Sequence, residues 1–197
     1  MIDDTIAAIA TPLGEGALAI IRLSGPDALA IADKCFEPIG AASSKPTDAD
    51  THTLLYGNIV AEGRTVDEVL LAVMRTPRTF TREDTVEITC HGGMVASQAV
   101  LQTVLAAGAR SALPGEFTRR AFLNGRIDLT QAEAVSDVIH ARTDLALAAA
   151  NEQLAGKLRQ RINELRDGLM QTLAHIEAHI DFPDEDIAPD TLAQLTG

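Results

Sequence analysis

Residues 114–134 read Pro-Gly-Glu-Phe-Thr-Arg-Arg-Ala-Phe-Leu-Asn-Gly-Arg-Ile-Asp-Leu-Thr-Gln-Ala-Glu-Ala and divide the chain into two parts with different hydrophobic periods. Asn124-Gly125 is a helix stop, because both residues tolerate the left-handed conformation that ends a helix. Thr130-Gln-Ala-Glu133 reads as a capping box, in which hydroxyl and carboxylate satisfy each other's orphan backbone N–H groups. Arg126 lies in the turn between the two signals, with Arg119 and Arg120 upstream. Three guanidinium groups at a domain junction, in a chain of net charge −12, point to an anion site.

Before this junction the pattern is that of a mixed α/β domain. Residues 5–10 and 17–23 read as strands, the second apolar enough to be central in a sheet. Gly14-Glu-Gly16 precedes a strand instead of joining strand to helix, so it lacks the context of a dinucleotide fingerprint and reads as a turn. Ser24-Gly-Pro26 opens a helix with Pro at its first position, running to Cys35. Residues 37–50, rich in Pro, Ser, Ala and Asp, read as an exposed loop. Residues 52–60 and 66–75 form a hairpin across Ala-Glu-Gly-Arg, and residues 76–84 are a polar loop of the kind that carries function. A short strand follows over 85–90, His91-Gly-Gly93 is a turn, and residues 94–107 form a helix stopped by Gly108. Residues 110–113 are the last strand.

Past Thr130 the period becomes helical. Residues 132–150 read as one Ala-rich helix. From Leu154, apolar residues recur at Leu158, Ile162, Leu165, Leu169, Leu173, Ile176 and Ile180. That eleven-residue repeat keeps one stripe in line on a nearly straight helix. With Arg159, Arg161, Glu164, Arg166 and Asp167 on the polar face, the stripe must pack on other helices. Two helices make a poor bundle, so the helical domain reads as incomplete. The expected division is a domain over 1–118 and a partial helical domain over 119–197.

Composition narrows the class. A length of 197 residues allows one or two domains with a real core, and without Trp that core rests on Ala, Leu, Ile and Val. No apolar run is long enough to span a bilayer, and the N-terminus lacks the basic start of a signal peptide. Two separated cysteines, Cys35 and Cys90, suit a reducing compartment, so a cytoplasmic protein without membrane contact is expected. The acidic balance disfavours broad nucleic-acid binding, yet charge is segregated. Four arginines face one Glu between Arg110 and Arg126, whereas residues 181–190 hold five acids and no base.

Arg22 and Glu87 are anomalies, each interrupting an apolar strand. Opposite charges on core-type strands either pair structurally or line a pocket. Cys90-His91 has the composition of a thiol nucleophile and base, but neighbours on a strand point to opposite faces, so a buried Cys and a turn His are expected. His175 and His179 stand one helical turn apart around Glu177. His-Ile-Glu-Ala-His is not the metalloprotease order and has no evident third ligand, so a solvated face is the reading, with no metal.

The segment 114–134 closely resembles the matching segment of the MnmE (TrmE) family, GTPases that modify the wobble uridine of transfer RNA. Five further stretches match in order: Thr11-Pro-Leu-Gly-Glu-Gly, Ile21-Arg22-Leu-Ser-Gly25, Thr79-Phe-Thr-Arg-Glu-Asp84, His91-Gly-Gly93 and Ile180-Asp-Phe-Pro-Asp-Glu-Asp186. The resemblance implies a folate-binding, aminomethyltransferase-like N-terminal domain that also makes a homodimer contact. It places the contacts to 5-formyltetrahydrofolate or 5,10-methylenetetrahydrofolate on Arg22, Glu87 and Arg126, with no catalytic residue in this part. It further implies a GTPase domain using potassium and magnesium, a flavin-dependent partner protein, MnmG (GidA), and a tRNA substrate. The chain has no Gly-x-x-x-x-Gly-Lys-Ser/Thr loop for GTP, so it reads as the part of such a protein that precedes its GTPase domain, and GTPase action by this chain alone is not expected. Two alternatives are a stand-alone folate-dependent enzyme of the aminomethyltransferase type and a non-catalytic dimerisation module.

Overall fold

The computed structural model describes residues 4–12, 14–40 and 44–181. It forms two compact units that meet between Ile127 and Asp128.

The first unit is built on a seven-stranded sheet of order β3-β4-β5-β6-β2-β1-β7. Its strands are β1 (Ile6–Ile9), β2 (Leu18–Ser24), β3 (Phe36–Pro38), β4 (Thr53–Ala61), β5 (Arg64–Met74), β6 (Thr85–His91) and β7 (Arg110–Ser111). All pairings are antiparallel except that of β1 with β7. Register explains the apolar pattern. Ile21, Ile88, Leu71 and Leu55 lie opposite one another across four strands and are buried. This row packs against α1 (Ala28–Cys35) and α2 (Met94–Ala106) through Ile31, Val100 and Val104. The alternate rows point the other way. One contains Ile20, Thr89, Leu70 and Tyr56; its neighbour contains Arg22, Glu87, Ala72 and Leu54. This second face is open, with Leu54 61%, Tyr56 47% and Leu70 41% exposed. Arg22 therefore does not interrupt the core; it belongs to the opposite face of a strand that is apolar on both.

The β4–β5 hairpin turns on Glu62 and Gly63, both at positive φ (51° and 74°), as a two-residue turn with right-handed strand twist requires. Residues 37–50 are not simply a loop. Phe36–Pro38 adds an edge strand to β4, and Gly57 makes this possible, because a Cβ there would overlap the Phe36 ring and the Glu37 carbonyl. Lys45 then ties the segment down through the carbonyls of Asp33 (3.0 Å) and Phe36 (2.8 Å). The first helix starts at Ala28 with Asp27 as its N-cap, so Pro26 precedes the helix instead of opening it.

Helix α3 (Glu116–Leu123) ends as expected at Asn124, with Gly125 at φ 68°. It belongs to the first unit, which extends past the boundary expected at residue 118. The physical reason is Arg120, which is fully buried among partners from the sheet domain.

The second unit contains α4 (Leu129–His140), α5 (Asp144–Leu154) and α6 (Lys157–Asp181). The capping box is Asp128 with Gln131, two residues earlier than the Thr130–Glu133 expectation. Asp128 accepts from the Gln131 N–H (2.9 Å), Gln131 Oε1 accepts from the Asp128 N–H (3.0 Å), and the Thr130 hydroxyl donates to Asp128 (2.7 Å). The single helix expected over 132–150 is two, because Thr143 caps a new start by accepting from the Ala146 N–H (3.1 Å). Reciprocal side-chain amides join α4 to α5, Gln131 to the Leu154 carbonyl and Gln153 to the Thr130 carbonyl. After Gly156, at φ 86°, α6 presents its apolar stripe exposed, Leu165 at 70% and Leu169 at 72%. The acidic segment expected to exit this helix lies, past Asp181, outside the described residues.

Replacing Asp128 with Ala is expected to cost the helical unit about 1 kcal/mol, whereas Glu133→Ala changes it by less than about 0.5 kcal/mol. Thermal melts followed by circular dichroism rank the two; the reverse order would return the cap to Thr130.

Candidate functional site

The antiparallel register of β2 and β6 sets Arg22 directly opposite Glu87. The Arg22 Nε–H donates to Glu87 Oε1 at 2.7 Å, and Nη2 reaches the same oxygen at 2.7 Å. Both side chains are partly exposed, 33% and 26%, so the pair faces the open side of the sheet and not the core. Oε2 of Glu87 accepts no hydrogen bond among the described residues. That oxygen, with the unused Arg22 N–H groups, can take a ligand presenting adjacent donors and acceptors.

Helix α3 and the loop over residues 76–84 frame this pair. Phe117 of α3 puts its ring 5.7 Å from the Arg22 guanidinium, and Phe80 of the loop lies 5.2 Å from that of Arg126. Cation–π contact of this kind fixes the plane of a guanidinium while leaving its in-plane N–H groups free. Arg22 and Glu87 are thus brought into contact, whereas Arg126 makes no contact with either and stands at the exit of α3, exposed. The scarcity of aromatics carried a signal here: two of only five Phe residues lie against Arg22 and Arg126.

An ionic cluster around the buried Arg120 locks the frame. Arg120 donates to the Asp4 carbonyl (2.8 Å), Asp4 Oδ1 (2.6 Å), Glu83 Oε2 (3.2 Å) and Glu116 Oε1 (3.3 Å). Arg110 closes the other side with a fork onto both Glu116 oxygens (3.1 and 2.7 Å). Glu83 also accepts from Ser24 at the end of β2 (2.7 Å). The Arg110 fork holds the Glu116 carboxyl down at about 2 and lowers Asp4 as well. Asn124 finishes the clasp, its amide donating to the Thr81 carbonyl (2.7 Å) and its own carbonyl accepting from Arg82 (3.1 Å).

Cys90 is buried, and burial pushes its thiol up to about 11, so it is no nucleophile near neutrality. His91 ends β6 and pairs instead with Asp67, ring Nδ1 to Oδ1 at 2.6 Å and backbone N–H to Oδ2 at 2.8 Å. Two strands bring this pair together, and nothing in the local sequence signals it. Gly14-Glu-Gly16 lines a cavity of about 240 Å³ with Gly92 and Met94; none of Arg22, Glu87 or Arg126 reaches it. Among the described residues no cluster of three metal-ligand side chains occurs, and no helix is long and apolar enough to cross a membrane.

The chain is thus a sheet domain with a paired Arg–Glu on its open face, followed by a helical unit, and its sequence holds no Gly-x-x-x-x-Gly-Lys-Ser/Thr loop. Residues 5–126 match the family described as the GTP-binding protein TrmE N-terminus, and residues 129–197 match the MnmE helical domain. The chain belongs to the MnmE (TrmE) family. It is 54% identical over 194 residues to the tRNA modification GTPase MnmE of Bacillus velezensis, covering 98% of this chain and 42% of that protein. The proteins of the same name from Geobacillus thermodenitrificans and Bacillus subtilis are 58% and 52% identical, over 93% and 98% of this chain and 40% and 42% of their own length. The chain therefore spans about two fifths of the curated relatives it matches.

Glu116 is ionised more readily in the folded chain than in the unfolded one, so its contribution is complete above about pH 4.5 and drains away as pH falls towards about 2. Wild type is expected to lose more stability across that window than Glu116→Gln, as read by denaturant melts at stepped pH. Parallel pH profiles would remove the cluster from acid stability.

Proposed function

We propose that this chain is the one-carbon-donor and dimerisation part of a protein that modifies the wobble uridine of tRNA. The observation that carries the reading is the Arg22–Glu87 pair on the open sheet face, with one carboxylate oxygen unengaged, in a member of this family. A pterin presents neighbouring N–H donors that a carboxylate accepts, while guanidinium groups suit the carbonyl and carboxylate oxygens of a folate. Glu87, Arg22 and Arg126 are accordingly assigned to 5-formyltetrahydrofolate or 5,10-methylenetetrahydrofolate. GTP hydrolysis with potassium and magnesium, the flavin-dependent partner MnmG and the tRNA itself are assigned to the whole protein in the cytoplasm. The apolar stripe of α6 is assigned to contact with further helices of that protein.

The open face also supports the homodimer. Leu54, Tyr56 and Leu70 sit in adjoining rows beside the Arg22–Glu87 pair, and apolar patches of this kind on a sheet mark interaction surfaces. Leu70→Glu is expected to convert a dimer into a folded monomer in analytical ultracentrifugation; a dimer of undiminished affinity would move the contact elsewhere.

A second reading is favoured by the same 2.7 Å contact: Arg22 and Glu87 satisfy one another structurally, and the chain is a dimerisation scaffold. Calorimetric titration with 5-formyltetrahydrofolate separates the two. Saturable binding to the wild-type chain, abolished by Glu87→Ala without loss of the folded state, is expected. A folded dimer that ignores the ligand would leave the scaffold reading standing.

A further inference from the structure

Arg82 is the residue of the 76–84 loop that the proposed site leaves unused. It holds a left-handed backbone, φ 57°, which a non-glycine residue adopts at a cost and which concentrates at ligand-binding positions. The loop is built to keep it there: the Arg82 N–H donates to the Thr79 carbonyl, and its carbonyl accepts from the Thr76 hydroxyl at 2.8 Å. The side chain is exposed and reaches the exit of α3, donating through Nη1 to the Asn124 carbonyl at 3.1 Å. A Cβ on Gly125 would lie 3.7 Å from the same Nη1. The next residue is Arg126, whose guanidinium lies over Phe80, two residues before Arg82.

The two cations thus flank one short junction, residues 80–82 against 124–126, and neither makes an ion pair among the described residues. The carboxylates of the loop are engaged elsewhere. Glu83 is held by Ser24 and Arg120, and Asp84 Oδ1 accepts from the Thr76 N–H at 2.9 Å. A pair of uncompensated guanidiniums on a chain of net charge −12 is a local device. It suits a short oligoanion docking beside the pair better than a long polyphosphate, which the net negative charge of the chain repels.

We propose that Arg82 and Arg126 form a subsite for the carboxylates of a γ-linked oligoglutamate tail on the bound folate, an inference that rests on the tetrahydrofolate reading above. Each added glutamate brings one carboxylate, and the planar fork of a guanidinium matches it in a bidentate way. Arg126 serves the ligand and the first carboxylate, and Arg82 extends the track outward. The subsite thereby selects the oligoglutamylated form over the monoglutamate.

Calorimetry with mono- and triglutamyl 5-formyltetrahydrofolate, on wild type and on Arg82→Asn, tests this. Asn tolerates the left-handed backbone, so the loop is preserved. Wild type is expected to bind the triglutamate about tenfold more tightly. Arg82→Asn is expected to bring the two ligands to equal affinity, leaving the monoglutamate within about twofold of wild type. Should melts show Arg82→Asn unfolded, Arg82→Gln and Arg82→Lys replace it, and the preference must vanish in the first and persist in reduced form in the second. An equal affinity of wild type for both ligands, or an unchanged preference in the neutral variant, overturns the subsite while leaving the folate site intact. A wild-type chain that binds neither ligand overturns the folate reading and this inference with it.

Discussion

The architecture of the first unit depends on one buried guanidinium. Arg120 is wholly removed from solvent, and an unpaired charge there would be untenable. Its partners come from the approach to β1 (Asp4), the 76–84 loop (Glu83) and its own helix (Glu116), with Arg110 of β7 balancing the acids. Three carboxylates bridged by two guanidiniums couple these four segments. Its Nε–H has no partner among the described residues, which shows that hydrogen bonding does not optimise the cluster fully. What the cluster does is fix position.

That fixing extends to the arginines nearer the surface. Arg22 and Arg126 are each steadied by an aromatic ring, Phe117 on α3 and Phe80 on the loop, and both rings ride on elements that Arg120 holds together. Long cationic side chains lose rotamer freedom when they bind; rings that hold their planes beforehand reduce that loss. A rigid frame under ring-steadied guanidiniums is an economical way to present cations on an acidic chain.

Much of this was legible in the sequence, for physical reasons that differ element by element. The strands of the sheet core and the hairpin at residues 61–64 follow from period-two apolar runs and positive-φ turn residues, and the end of α3 follows from Asn124-Gly125. The anomaly of Arg22 and Glu87 was legible too, but its meaning needed the register, which alone shows that both lie on the open face. The capping box was misread because more than one local signal competed. Asp128-x-x-Gln131 and Thr130-x-x-Glu133 both fit a capping box, and geometry chose the first. The break at residues 141–143 hid inside an Ala-rich run because Thr143 is a cap only once the chain turns. Arg120 read as one of three guanidiniums marking an anion site at the junction, since nothing in its neighbourhood announces partners 37 and 116 residues away. The domain boundary moved for the same reason.

The surfaces left open complete the physical picture. A sheet covered by helices on one face and presenting Leu54, Tyr56 and Leu70 on the other has the alternation of a half-buried sheet without the polar outer rows that solvent requires. A long helix with its stripe at an eleven-residue period has the same unbalanced chemistry. Yet the charged rows of both elements are complete: the polar face of α6 carries its own local ion pairs, and the open sheet face carries the Arg22–Glu87 pair at the margin of its apolar rows. Apolar area bounded by satisfied charge is the composition of an interface centre with its rim. The pair proposed to meet the ligand therefore stands at the edge of the surface proposed to meet a second subunit, an arrangement in which closing the dimer would strip water from the neighbourhood of Arg22 and Glu87 and strengthen their hold on a bound anion or amide. Ligand binding and dimer contact would then be linked by the sheet itself, without a moving part.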